Sequence, residues 1–145
     1  MSRESAQGLK SPVANVPRQM YYEKLALEVG ATVAGYEIVR PPVIRGASGT
    51  DHRFTLVAAE GSKMLAFDIY QDVGEVEILR TYIKQMDTGA EAYVVCLSGK
   101  PREKANELSA NYGIKVLGPR EVGDFFTGRI TRLVSASRSS ANWSR

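Results

Sequence analysis

The spacing of hydrophobic and polar positions changes several times along the chain, and each change marks an element. Arg18 to about Val29 consists of good helix formers, with Met20, Lys24, Leu27 and the neighbouring Tyr21 and Leu25 as its stripe. Pro17 suits a first helical turn, where its missing N–H would be unpaired anyway, and Gly30 is the expected stop. Tyr36 to Arg40 alternates around Ile38 and Val39 and reads as a strand. Pro41-Pro42 ends it or confines it to an edge, and Val43 to Arg45 resumes it. Beyond a glycine-rich loop, His52 to Ala59 reads as a second strand, Glu60-Gly61-Ser62 as a tight turn and Met64 to Tyr70 as a third strand. Val76, Leu79, Ile83 and Met86 recur at three- and four-residue intervals, which predicts a helix from Glu75 to about Met86, closed by Thr88-Gly89. The apolar run Glu91 to Leu97 suits a central strand buried on both faces. Ser98 as N-cap and Pro101 then open a helix that Gly113 stops after Tyr112. Ile114 to Leu117 is a short strand, and Arg120 to Phe126 a last helical turn or two.

The predicted order is α-β-β-β-α-β-α-β. Three consecutive strands favour antiparallel pairing, and the strand-helix-strand units favour parallel crossovers. The expectation is an α/β fold, a mixed β-sheet between helices.

Size and composition narrow this further. The chain has 145 residues, enough for one core. A 43% hydrophobic and 24% charged composition is that of an ordinary globular domain, which excludes disorder by composition for the middle of the chain. One domain is expected over residues 17–128. Residues 1–16, rich in Ser, Ala, Gly and Pro without a period, are expected to form a flexible tail, and residues 129–145 a basic one. The single cysteine, Cys96, lies in an apolar run and reads as a small buried hydrophobe. With His52 as the sole histidine, no zinc-type cluster can be assembled. Met1 to Arg18 lacks the apolar segment of a secretory signal, and no run is apolar enough to cross a membrane. The cytoplasm is the default compartment, and no membrane partner is expected.

Charge is uneven. Residues 1–18 carry a net +2 (Arg3, Lys10 and Arg18 against Glu4), and residues 129–145 carry Arg129, Arg132, Arg138 and Arg145 with no acid. Since the whole chain is +3, residues 19–128 are left at −3. A basic tail either contacts phosphate backbones without sequence preference or is simply a solvated end.

The stretch with the most chemistry is Arg45-Gly46-Ala47-Ser48-Gly49-Thr50-Asp51-His52, with the strands that follow. Thr55, Asp68 and Tyr70 are polar residues in otherwise apolar strands. A carboxylate between Phe67 and Ile69 needs a partner, either a metal ion or a cation such as Arg53 or Lys63 across the hairpin. His52 and Asp51 form either a general-base pair or a loop-ordering contact. Gly46 and Gly49 either let a phosphate approach the backbone or permit a turn. They are not a P-loop, because the Gly-Lys-Ser/Thr ending is missing.

This succession resembles the core of the PD-(D/E)xK nuclease superfamily, the restriction-endonuclease-like fold, and within it the Mrr-type modules. Gly46 to His52 occupies the place of their glycine-rich loop. Gly89-Ala90-Glu91-Ala92-Tyr93-Val94-Val95 looks like their central strand, and Ala105 through Tyr112-Gly113-Ile114-Lys115-Val116-Leu117 like their following helix and strand. The resemblance covers roughly residues 20–126. It implies a Mg2+ or Mn2+ ion, held by two carboxylates on adjacent strands and helped by a lysine. Asp68 matches the second carboxylate. Thr55 falls where the first is expected, and Tyr70, a neutral phenol at pH 7, where the lysine is expected. Substitutes are at hand: Asp51 or Glu23 for the acid, and Lys84 for the base. Arg45, Ser48, His52 and Arg53, with Arg129 and Arg132 in the tail, are the candidate nucleic-acid contacts.

Three functions follow from the resemblance and from the charge. The first is a catalytically degenerate nuclease-like module that binds nucleic acid or a partner without cutting. The second is an active metal-dependent DNA endonuclease with Asp68 and Asp51 on the metal and Lys84 assisting. The third is an interaction or scaffolding module with no nucleic-acid role. A homodimer is expected because two-fold dimers are the commonest assembly.

Overall fold

The computed structural model describes residues 18–128. Five strands form one sheet in the order β1-β4-β5-β6-β7. β1 is Glu37–Ile38, β4 Leu56–Glu60, β5 Lys63–Tyr70, β6 Glu91–Cys96 and β7 Lys115–Leu117. β1, β4 and β5 pair antiparallel, whereas β5, β6 and β7 run parallel, so the sheet is mixed as expected. The parallel pairs require crossovers, and helices α2 (Glu75–Thr88) and α3 (Glu103–Tyr112) supply them.

Alternation along β5 sorts its side chains to two faces. Leu65, Phe67 and Ile69 pack with Leu27 and Ala31 of helix α1 (Arg18–Val33) and with Val122 and Phe126 of a helix over 119–128. Ala66, Asp68 and Tyr70 point the other way. There β6 adds Val94 and Cys96, which pack with Ile78 of α2 and Ala105 of α3. Helices therefore cover both faces of the sheet. Cys96 is buried, as the apolar run around it implies.

The structure corrects the expected strand pattern. The second strand is broken in two, β3 (Asp51–Arg53) and β4, and Val43–Arg45 is a separate strand, β2. β2 and β3 form their own hairpin, with Ile44 opposite His52 and Arg45 opposite Asp51. The break lies at Phe54-Thr55. Phe54 turns its ring into a cluster with Ile44, Val57, Ala66, Ala90 and Ala92, and its N–H bonds Pro42 O. Thr55 sends its N–H to Phe67 O and accepts the Ile69 N–H on its hydroxyl at 3.1 Å. Thr55 thus stands in for one rung of the ladder while the chain changes partners.

Three helix expectations also shift. Gly30 does not stop α1. A Cβ there would lie 3.0 Å from Phe126 Cβ, so the glycine admits Phe126 to the helix surface, and the chain turns instead at Gly35, with φ +96°. α3 starts at Glu103 rather than after Ser98, whose hydroxyl lies 3.2 Å from Cys96 Sγ. The stripe that predicts α2 is not the face α2 buries. Ile78 and Thr81 are buried, whereas Val76, Leu79, Ile83 and Met86 are 58%, 39%, 59% and 65% exposed. No helix among the described residues is long and apolar enough to cross a membrane.

Candidate functional site

Two side-chain clusters lie on the sheet face shared by the β2–β3 hairpin and α2. The first is built on Asp68. β5 places its carboxylate under α2, where the side chain is buried. Thr81 donates its hydroxyl to Asp68 Oδ2 at 2.9 Å, and Lys84 Nζ lies 2.8 Å from the same oxygen. Thr81 and Lys84 are three residues apart on α2 and so reach down the same side of the helix. Lys84 also donates to Arg53 O at 2.7 Å and lies 4.5 Å from the centre of the Phe54 ring. The ammonium is caged by a carboxylate, a carbonyl freed at the β3–β4 break, and an aromatic face.

Tyr70 shares this face, as two-residue alternation predicts. Burial pushes its phenol above the usual range, and the charge of Asp68 adds to that, against a smaller pull downward from hydrogen bonds with Arg80 and Thr81. It is a proton holder here and cannot replace a lysine ammonium.

The second cluster is built on Asp87, which the sequence reading did not single out. Its Oδ1 accepts the Ser48 N–H at 2.9 Å, and its Oδ2 accepts the Ser48 hydroxyl at 2.6 Å. His52 Nε2 lies 2.7 Å from the same Oδ2, and the backbone carbonyl of Asp87 accepts the Ala47 N–H. These hydrogen bonds, first from Ser48 and then from His52, hold the carboxyl below the usual range. Gly46 is required for this approach, because a Cβ there would fall 1.9 Å from Asp87 Oδ2. The signal in the sequence was weak: one aspartate at the end of a helix, far along the chain from the loop.

The order of contacts decides what this cluster can do. A nucleophilic serine needs the imidazole between it and the acid. Here the carboxylate sits between serine and imidazole and takes a hydrogen bond from each. It orders a loop and does not activate Ser48. Nor is the loop a phosphate cradle, because its N–H groups have internal acceptors. Gly46 bonds Thr50 O, Gly49 bonds Gly46 O, Thr50 bonds Ser48 Oγ, and Ala47 and Ser48 bond Asp87.

The expected site residues separate accordingly. Asp68 and Lys84 come together. Asp51 does not join them: it points out of the hairpin and pairs with Arg45 at 3.2 Å. It does not pair with His52 either, because the two are neighbours on a strand and face opposite ways. Glu23 lies on α1, across the sheet from Asp68, where burial raises its carboxyl. The cation of Asp68 is neither Arg53 nor Lys63 but Lys84. Arg45, Ser48 and His52 are engaged within the hairpin clasp, and Arg53 lies exposed on β3. Arg129 and Arg132 lie outside the described residues.

The donor set does not fit a Mg2+ or Mn2+ ion. Such hard cations take several oxygen ligands, usually with more than one carboxylate. Asp68 is the one carboxylate of its cluster, and its Oδ2 already carries an ammonium and a hydroxyl donor. Thr55, at the other expected position, has its hydroxyl on the Ile69 amide. No three His, Cys, Asp or Glu side chains converge among the described residues.

No family model matches the chain, and no curated protein matches it. A solved structure, the crystal structure of a protein of unknown function called AF1548, is similar at 18% sequence identity with a TM-score of 0.46. The match covers 64% of this chain and spans 58% of that one.

Proposed function

We propose that this chain is a nuclease-like module in which the hydrolytic centre has been replaced by an internal ion pair, and that it works by binding rather than cutting. One observation carries the proposal: Lys84 neutralises Asp68 from within, in a position 12% exposed on the lysine side and 6% on the aspartate side. Without a free pair of carboxylates there is nothing to hold a cation that activates water. The mixed sheet, the glycine loop beside it and Asp68 on the inner strand support the nuclease-like arrangement. The apolar faces that α1 and α2 turn outward, Tyr21, Tyr22, Leu25, Val29 and Val33 on one and Val76 to Met86 on the other, support a role in protein contacts.

The test is incubation of the full chain with supercoiled, linear duplex and single-stranded DNA in Mg2+ or Mn2+. No cleavage above a metal-free control is expected, and no Mn2+-induced broadening of NMR signals around Asp68. Metal-dependent cleavage that Asp68→Asn abolishes overturns the proposal.

The four arginines of residues 129–145, with no acid among them, favour a second reading in which the module also holds DNA electrostatically. A salt-sensitive mobility shift that disappears when residues 129–145 are removed supports it, and no shift at low salt refutes it.

A further inference from the structure

We infer that α2 is the interface of a parallel homodimer, in which two copies pair through Val76, Leu79, Ile83 and Met86. The inference does not depend on the state of the Asp68 cluster. α2 leaves an apolar stripe exposed. Its spacing of three, four and three is that of a two-heptad coiled-coil seam, with Val76 and Ile83 at the a positions and Leu79 and Met86 at the d positions. β-Branched residues at a with unbranched or γ-branched ones at d favour two parallel strands.

Charge on either side of the seam points to the same occupant. Glu75 takes the g position and Arg80 the following e position, and both are exposed. In a parallel pair, g of one helix meets the next e of its partner, so Glu75 of each copy faces Arg80 of the other, twice by symmetry. The other charged side chains of α2 are engaged at home. Glu77 accepts the Gly74 N–H, Lys84 holds Asp68, and Asp87 clasps the hairpin. Arg80 also bonds the Tyr70 phenol, but its guanidinium remains exposed. An antiparallel pair would keep the apolar contacts and bring the two Arg80 side chains together. A second copy in parallel is therefore the occupant that matches both the seam and its flanks.

Size sets the strength. Fourteen residues make a helix of about 21 Å, nearly four turns, of which the seam from Val76 to Met86 takes about three. Such a seam falls below the ~1,200 Å2 of ordinary stable interfaces and gives a weak, concentration-dependent dimer. It forms at all because the domain has already folded the helix, so no nucleation penalty is left for association.

Sedimentation equilibrium of the full chain tests this. Dimer is expected at concentrations on the order of 100 µM and monomer below about 1 µM, as for a transient interface. Ile83→Glu leaves the circular dichroism and thermal midpoint near the parent and abolishes the dimer. Glu75→Arg or Arg80→Glu alone weakens association roughly tenfold or less, and the double exchange restores it, in the range of exposed ion pairs. Val76→Cys links to itself under mild oxidation. A strictly monomeric parent, or a dimer indifferent to Ile83→Glu, overturns the interface. Crosslinking of Val76→Cys only to Met86→Cys overturns the parallel sense.

Discussion

Replacing Lys84 with methionine is the sharpest probe of the Asp68 cluster. The two side chains have similar length, so the change removes the ammonium, with its place over the Phe54 ring, and little volume. It leaves Asp68 at 4% exposure with Thr81 as its remaining donor within the cluster. Breaking a buried pair from one side costs about 3–5 kcal/mol, chiefly because the surviving charge stays desolvated. At about 4 °C per kcal/mol for a domain of this size, the midpoint falls by roughly 12–20 °C. Asp68→Asn costs less, because the Lys84 ammonium, already 12% exposed, can move toward water while a buried carboxylate cannot. The double variant, with no charge left to bury, recovers most of the loss. Urea unfolding of the parent, both single variants and the double variant closes the cycle, with equal m-values as the check on two-state behaviour. A Lys84→Met variant within ~1 kcal/mol of the parent, far below the cost of a stranded charge, refutes the reasoning. So does a double variant no better than Lys84→Met.

Other consequences are accessible to the same purified protein. Thr55→Val removes the acceptor of the Ile69 N–H and costs about 1–3 kcal/mol in urea unfolding, whereas Thr55→Ser costs clearly less; equal losses would show that the hydroxyl is idle. Gly46→Ala pushes the Asp87 carboxylate out of the clasp, so amide exchange at Ser48 speeds up while the global midpoint barely moves; unchanged protection there would count against the clasp. The depressed Asp87 carboxyl contributes stability that is present above the ordinary carboxylate range and is lost as pH falls through its folded value. The Ser48 amide should therefore keep its protection through the ordinary carboxylate range and lose it only at lower pH, and Asp87→Asn should remove that dependence. The raised Tyr70 phenol implies the opposite limb: above about pH 10 the unfolded chain releases this proton first, stability falls, and ultraviolet titration should show one tyrosine ionising late.

Much of the framework was legible in the chain. Period-two alternation placed β5, and Gly61 marked its turn. The run from Glu91 to Leu97 identified β6 as interior, and Gly89 and Gly113 closed α2 and α3 in the left-handed conformation. It also put Asp68 and Tyr70 on one face and offered Lys84 as a reach-back cation. These were readable because backbone preference and alternation act over a few residues, within the span of one element.

What the tertiary structure decided is of another kind. The break at Phe54-Thr55 depends on two partners, β2 and β5, that pull the chain in different directions, and no local pattern encodes that competition. Asp87 finds Ser48 and His52 only because α2 ends beside the hairpin, 35 residues on from His52. The buried face of α2 is the clearest case. Hydrophobic spacing chose Val76, Leu79, Ile83 and Met86, whereas the fold buries Ile78 and Thr81, because Asp68 on β5 needs a hydroxyl and an ammonium from the helix above it. Stranding a buried charge costs about 3–5 kcal/mol, comparable with leaving these four side chains part-exposed, and with this orientation Ile78 still fills the core beside Val73 and Val94. The sequence by itself settled which residues form elements and which of them are chemically unusual. The tertiary structure alone settled which way α2 turns, and with it both the locked Asp68 cluster and the apolar seam left on the outside.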